Sequence, residues 1–226
     1  MYFYMCQRAS WRFCLCYTFR MVEQISVGGF DSNFSYIIHD GKECAVVDPS
    51  GDVRNILAVI EKKQLRPIAI LITHTHFDHI DGIDAFRKIH PAPLYMHKRA
   101  VSRVHTHDSI KRAVQEGDEI QIGGVTVRVV YTPGHIDDAV CYYIEKEGAL
   151  ISGDTLFVEG CGRVGSEADA EVLYENLQRL KELPDETEVF PGHDYGSMPH
   201  STIAHEKKKN RFFLAENLEA FKKERL

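Results

Sequence analysis

The sequence predicts an α/β (α+β) fold in which two mixed β-sheets are covered by helices. Three observations carry this. Short runs rich in β-branched and apolar residues recur along the chain, pairs of them flank Gly-containing turns as hairpin strands do, and segments of helical period separate others. The folded domain is expected over residues 21–200, with a short C-terminal helical appendage at 201–226. Residues 1–20, which hold aromatics, cysteines and arginines but no acid, are expected to be an extension outside the fold. They lack the long apolar centre and small-residue cleavage site of a secretory signal.

From Met21 the elements follow in order. "SYIIHDGKECAVVDPS" reads as two strands around the Asp40-Gly41 turn. "DVRNILAVIEKKQ" places Val53, Ile56, Leu57 and Ile60 on one helical face, with Asp52 as the expected N-cap. "PIAILIT" has the composition of a strand buried on both faces. A short helix at "DGIDAFRKIH" and a strand at "APLYMH" come next. "DEIQIGGVTVRVVYT" is a hairpin turning at Gly123-Gly124, and "AVCYYIEKEGALIS" another turning near Glu147-Gly148. "DAEVLYENLQRLKEL" is an amphipathic helix, followed by a strand at "TEVFPG". The charged helical tail offers Phe212, Phe213, Leu218 and Phe221 for packing.

Composition narrows the function. The 226 residues are 44% hydrophobic with a formal net charge of −6, so a general nucleic-acid-binding surface is not expected. No stretch approaches the roughly 18 apolar residues needed to span a membrane. Six cysteines make no CxxC pair and no regular spacing, which points to a reduced, cytoplasmic protein without a disulfide framework or zinc ribbon. Nothing in the chain bears on oligomeric state.

The chemistry concentrates in "LITHTHFDHIDGI". Directly after the predicted buried strand come His74, His76, Asp78 and His79. Neutral imidazole and carboxylate are the ligands that borderline divalent metals take, and a rigid strand end can turn several of them toward one point. The same form recurs at other strand ends: His135 in "VVYTPGHIDDA", Asp154 in "ALISGDTLF" and His193 in "EVFPGHDYG". Gly and Pro at those ends let the backbone approach a shared centre.

With these stretches the chain resembles the metallo-β-lactamase superfamily, whose HxHxDH signature is present as His74, His76, Asp78 and His79. "TPGH", "SGDTLFVEGCGR" and "LPDETEVFPGHDYG" are most similar to its glyoxalase II-like (hydroxyacylglutathione hydrolase-like) branch, over about residues 22–211. The resemblance implies a four-layer αββα sandwich with two divalent metal ions at one edge, zinc first, with iron or manganese as alternatives. His74, His76 and His135 would hold one ion, Asp78, His79 and His193 the other, and Asp154 would bridge them. Two ions about 3.5–4 Å apart can share a water and a substrate oxygen, and bound water then ionises near pH 7. The implied reaction is attack of metal-bound hydroxide on a thioester carbonyl, with S-2-hydroxyacylglutathione as substrate and Asp78 as both ligand and catalytic residue. Arg163 and Tyr195 match positions that contact the glutathione part. The loop after Arg163 and the short tail depart from the longer glyoxalase II enzymes, which leaves another thioester carrier open.

A second resemblance runs to persulfide dioxygenases, through His193-Asp194-Tyr195-Gly196, Ser201-Thr202, Glu206 and Asn210. It implies a single non-haem Fe(II) on His74, His135 and Asp154. A metallo-nuclease of the same fold is the third reading, and the acidic charge counts against it.

Overall fold

The computed structural model describes residues 21–28 and 31–226, so the expected extension at 1–20 lies outside the described residues. The first sheet takes β1 (Val22–Gly28), β2 (Asn33–His39), β3 (Glu43–Val47), β4 (Arg66–Leu71), β5 (Leu94–His97) and β6 (Lys111–Val114), side by side in chain order. β1, β2 and β3 pair antiparallel, and β3 to β6 pair parallel. Helices α1 (Arg54–Lys63), α2 (Phe77–Ile80) and α3 (Ile83–Ile89) fall between its strands.

The second sheet begins with β7 (Glu119–Ile122), β8 (Val125–Tyr131), β9 (Val140–Ile144) and β10 (Ala149–Gly153). A small ribbon of β11 (Leu156–Phe157) and β12 (Gly160–Cys161) precedes α4 (Glu167–Lys181). β13 (Glu188–Pro191) and β14 (Ser201–Thr202) then return to the second sheet, giving the order β14-β13-β10-β9-β8-β7. α5 (Ile203–Lys209) and α6 (Leu218–Arg225) close the chain.

Strand alternation produces the layers. On β2, Phe34, Tyr36 and Ile38 face the second sheet, meeting Val127, Val129, Tyr142 and Ile151 in the central core. Ile37, between them, faces outward and packs with Ile56 and Ile60 of α1 and Phe86 of α3. On β10, Ala149 and Ile151 point in, while Leu150 joins Leu173 and Leu177 of α4 and Phe221 of α6. The result is the expected order of helix layer, two sheets and helix layer, with both mixed sheets buried on both faces.

The Asp40-Gly41 turn forms as read: Asp40 Oδ1 accepts from the Lys42 and Glu43 amides at 2.9 Å each. Its Oδ2 also accepts from the Gly124 amide at 2.9 Å, tying the first hairpin to the turn of the second. One local reading is corrected. Asp52 is not the cap of α1; the helix starts one residue later with Val53 at the cap, and the Asp52 carboxylate accepts from the Arg54 amide at 3.1 Å instead. Ser166 caps α4 by accepting from the Asp169 amide, so that helix begins earlier than its apolar period alone indicates.

One edge of the sandwich is stitched across the two sheets. The Phe34 amide donates to Gly192 O at 2.9 Å and the Val140 amide to Thr73 O at 2.8 Å. The Tyr142 hydroxyl donates to Ile72 O at 2.8 Å. These bonds bring the ends of β4, β10 and β13 and the β8–β9 connection to one place.

Candidate metal centre

All seven predicted ligands meet at that stitched edge. His74 and His76 follow the end of β4, Asp78 and His79 lie on α2, His135 lies in the β8–β9 connection, Asp154 follows β10 and His193 follows β13. His74, His79, Asp154 and His193 are buried, and His76, Asp78 and His135 are half-buried. Their ligand atoms form the groups His74/His76/His135/Asp154 and Asp78/His79/His193, with a further, overlapping group of Asp48, His74 and His79.

In the first group His76 Nδ1 lies 3.1 Å from His74 Nε2 and 2.9 Å from His135 Nε2. In the second His79 Nε2 lies 3.2 Å from His193 Nε2. Asp154 stands between the groups. Its Oδ2 is 3.5 Å from His135 Nε2 and 3.2 Å from His193 Nε2, and its Oδ1 is 3.3 Å from His79 Nε2.

The residues fit divalent metal ions on three grounds. Ligand nitrogens about 2.0–2.1 Å from a tetrahedral ion stand about 3.3 Å apart, which is close to the separations here. Asp154 Oδ1 is buried and faces only His79 Nε2 at 3.3 Å, so its charge is met there either by a proton on that ring or by a cation in its place. The outer nitrogens of the imidazoles are also occupied. Thr73 Oγ1 donates to Asp48 Oδ2 at 2.5 Å, so His74 Nδ1, 3.1 Å from that hydroxyl, is left to donate to it. His79 Nδ1 donates to Asp48 Oδ2 at 2.9 Å, His135 Nδ1 to Arg163 O at 2.8 Å and His193 Nδ1 to Asp31 O at 2.9 Å. Each bond sets the tautomer whose Nε2 lone pair faces inward. His76 is the exception and presents Nδ1.

Protonation follows the same contacts. Burial and the neighbouring His79 ring hold His74 well below the usual imidazole range. Burial alone would also lower His79, but Asp154 and Asp48 overcome it and raise its pKa well above the ordinary value. Burial works to raise Asp154, and the His79 and His193 rings outweigh it, so that carboxyl stays well below its usual value.

Close backbone approach makes the convergence possible. A Cβ on Gly192 would lie 2.2 Å from Asp154 Oδ1, and one on Gly162 would lie 2.1 Å from Asp154 O and 2.8 Å from His135 Nδ1. Only glycine fits at either position.

Two supporting residues escape a reading of the sequence. Asp48, buried at the end of β3, orients His79 and accepts from the Thr73 amide at 2.7 Å. Its "VVDPS" context has the same strand-end form as the ligands, so a signal was present. Asn33, fully buried at the start of β2, donates through Nδ2 to Asp78 Oδ2 at 2.9 Å. It carries no sequence signal, because it reaches Asp78 only once β2, β3 and β4 are paired in the first sheet.

Beside the ligands opens a cavity of about 720 Å³. Arg163 is exposed on its wall, and Arg211 and Arg225 reach it from the tail. Tyr195 also lines it, half-exposed, with its ring stacked on His193 at 4.7 Å between centroids and its hydroxyl donating to the Asp31 carboxylate.

An αββα sandwich with histidine and aspartate side chains able to hold metal gathered at one edge defines the class. The family model of the metallo-beta-lactamase superfamily matches residues 28–193, and the chain belongs to that superfamily. It is 32% identical over 194 residues to a probable polyketide biosynthesis zinc-dependent hydrolase of Bacillus velezensis, covering 84% of this chain and 85% of that protein. It is 39% identical over 169 residues to a hydroxyacylglutathione hydrolase of Francisella tularensis subsp. novicida, covering 72% of this chain and 63% of that enzyme. The chain therefore spans somewhat less than two thirds of the length of the latter. Among solved structures, ETHE1 from Myxococcus xanthus matches with a TM-score of 0.76 at 31% identity, covering 89% of this chain and 88% of that one.

Proposed function

We propose that the protein is a binuclear metal-dependent thioester hydrolase of glyoxalase II type, acting in the cytoplasm on an S-2-hydroxyacylglutathione or a closely similar thioester. The observation that carries this is that the seven side chains include the groups His74/His76/His135/Asp154 and Asp78/His79/His193, with Asp154 also within 3.2–3.3 Å of the His193 and His79 rings of the second. The named relatives support hydrolysis, one as a hydroxyacylglutathione hydrolase and one as a zinc-dependent hydrolase. Buried free thiols at Cys44, Cys141 and Cys161 suit a reducing compartment.

His74, His76 and His135 would hold one ion, Asp78, His79 and His193 the other, and Asp154 both; when bound, zinc, iron or manganese supplies Lewis-acid polarisation of a carbonyl and acidifies water. Asp78 Oδ2, which faces His193 Nε2 at 3.5 Å, is steadied by Asn33, leaving the second carboxylate oxygen to accept a hydrogen bond from a water in the cavity. Arg163 suits a carboxylate on the thiol carrier, because its planar fork can donate two parallel N–H bonds. Tyr195 supplies an aromatic wall beside His193. The leaving thiolate is the conjugate base of an acid of pKa about 8.5, so no strong protein acid is required. Cys161 lines the same cavity but is no nucleophile: burial pushes its thiol up to about 12.

The single-iron dioxygenase reading uses His74, His135 and Asp154 from the same set. It gives no role to the buried second group, whose tautomers Asp48 and the Asp31 carbonyl set with equal care.

The test is elemental analysis followed by two assays on one preparation. Two ions per chain and loss of thioester absorbance with S-lactoylglutathione are expected, and Asp154→Ala should lose metal and cut turnover more than about 100-fold. One iron per chain, with oxygen uptake on glutathione persulfide and no thioester loss, would overturn the proposal.

A further inference from the structure

Nothing in the proposed chemistry uses Ser201, Glu206 or Asn210, yet all three are polar side chains buried to 4%, 0% and 0% exposure. They converge on one object, the tip of the β11–β12 ribbon. Glu206 Oε2 accepts from the Glu159 amide at 2.8 Å. Asn210 Nδ2 donates to Gly160 O at 2.9 Å and to Glu206 Oε2 at 2.8 Å. The Ser201 hydroxyl donates to Glu206 Oε1 at 2.5 Å. The tail thus grips an amide and a carbonyl on successive residues of the ribbon tip.

That tip needs holding. Glu159 sits at φ +60°, a left-handed conformation that costs a non-glycine residue energy and persists only where neighbours enforce it. Its side chain is engaged as well, accepting from Ser197 Oγ and His205 Nε2 at 2.9 Å each. From the other side the turn is met by the loop that carries His193 and Tyr195: a Cβ on Gly196 would lie 2.4 Å from Val158 Cβ and 2.8 Å from Val158 O.

The tip is also functional ground. Phe157, Val158, Glu159, Gly160 and Cys161 form one wall of the cavity, and the chain continues directly to Arg163. The Arg163 carbonyl in turn accepts from His135 Nδ1 at 2.8 Å. A shift of the turn therefore moves the wall and the Arg163 backbone together.

We propose that Glu206 is a positioning residue, whose carboxylate holds the strained turn at Val158–Gly160 and so fixes the cavity wall and Arg163 where substrate meets them. This rests on the cavity being the substrate site. It gives one physical role to the tail residues by which the sequence resembles persulfide dioxygenases: Gly196 admits Val158, and Ser201, Glu206 and Asn210 clamp the two residues that follow. The device shapes a pocket and is indifferent to the reaction run beside it.

The test compares metal-loaded full-length protein with Glu206→Ala, Glu206→Gln and Gly196→Ala. Two quantities are read: amide hydrogen exchange across residues 156–163, and KM against kcat for S-lactoylglutathione. Glu206→Ala should speed exchange in 156–163 at least tenfold and raise KM by a larger factor than it lowers kcat. Glu206→Gln should stay near the parent in both, because its carbonyl can accept both N–H bonds while the Ser201 hydroxyl turns to accept from its amide. Gly196→Ala displaces Val158 from the opposite side with the tail intact; it should reproduce the KM rise, and it is the decisive arm if Glu206→Ala fails to fold. Unchanged exchange in Glu206→Ala, Gln as damaging as Ala, or a normal KM in Gly196→Ala would each overturn the proposal. A parent protein without thioesterase activity would sink the proposed hydrolase alone, since the exchange comparison still decides whether Glu206 holds the wall.

Discussion

Four of the five candidate ligand imidazoles place Nδ1 against a fixed acceptor, which leaves Nε2 as the nitrogen free to ligate. Asp48 does the most, because its carboxylate serves His79 directly and His74 through Thr73. Asp48→Asn keeps the shape but removes the charge that fixes the His79 tautomer. Metal affinity should fall about 10- to 100-fold, the usual cost of losing such an outer partner. Competition against a chelator of known affinity measures it, and an unchanged dissociation constant would show that Asp48 only braces the loop. Asp48 and Asn33 also mark where the sequence stops being legible. The ligands announce themselves locally, as an apolar run, a turn residue and then a metal-binding type. Asn33 does not, since Asp78 lies 45 residues away along the chain and becomes its neighbour only when β2, β3 and β4 lie side by side in the first sheet.

At the scale of elements, legibility followed local signal more than length: the four-residue strands β5, β7 and β13 were readable from their apolar runs, whereas β1, seven residues long, was not read. β4, β8, β10, α1 and α4 each carry enough alternation or helical period to be found unaided. β6, β11, β12 and β14 are two to four residues long and exist because a partner strand is present. The tail shows both cases. Its phenylalanines advertise packing, but the surface they pack on is invisible until the fold is built. Phe212, Phe213 and Phe221 are buried to 1% exposure or less in the outer core beneath α4. Phe212→Ala should accordingly cost about 3–5 kcal/mol, as large-to-small changes in cores do. Urea unfolding measures this, and a loss under 1 kcal/mol would mean that the tail is only loosely joined to the domain.

For the molecule as a whole, the metal site and the fold are coupled, because the ligands come from four separate strand ends that the two sheets must bring together. Any ion bound only by the folded state stabilises it, by about 2.7 kcal/mol at 100 times its dissociation constant. For a domain of this size that is about 5–10 °C in Tm, which chelation should remove. The shift should depend on pH. In the metal-free fold the Asp154 and Asp48 carboxylates, opposing burial, raise the His79 pKa, so protons compete with metal for that ring at neutral pH. Metal affinity, and with it the Tm shift at fixed free metal, should therefore rise from pH 6 to pH 8. Calorimetric scans with and without chelator at both pH values test this, and a pH-independent shift would place the displaced proton elsewhere. Among the described residues no helix is long and apolar enough to cross a membrane.

The two glycines pressed against the ligands have a consequence for how this protein can vary. Gly162 and Gly192 contribute no side chain, yet at both the space a methyl group would take is already filled by Asp154, and at Gly162 by His135 as well. An experiment that truncates side chains one by one passes over them, because there is nothing to truncate. A library that adds atoms would find them among its least tolerant positions. Redesign of the pocket for a new substrate can draw on the exposed wall around Arg163 and Tyr195, while these two backbone positions have to be carried over unchanged.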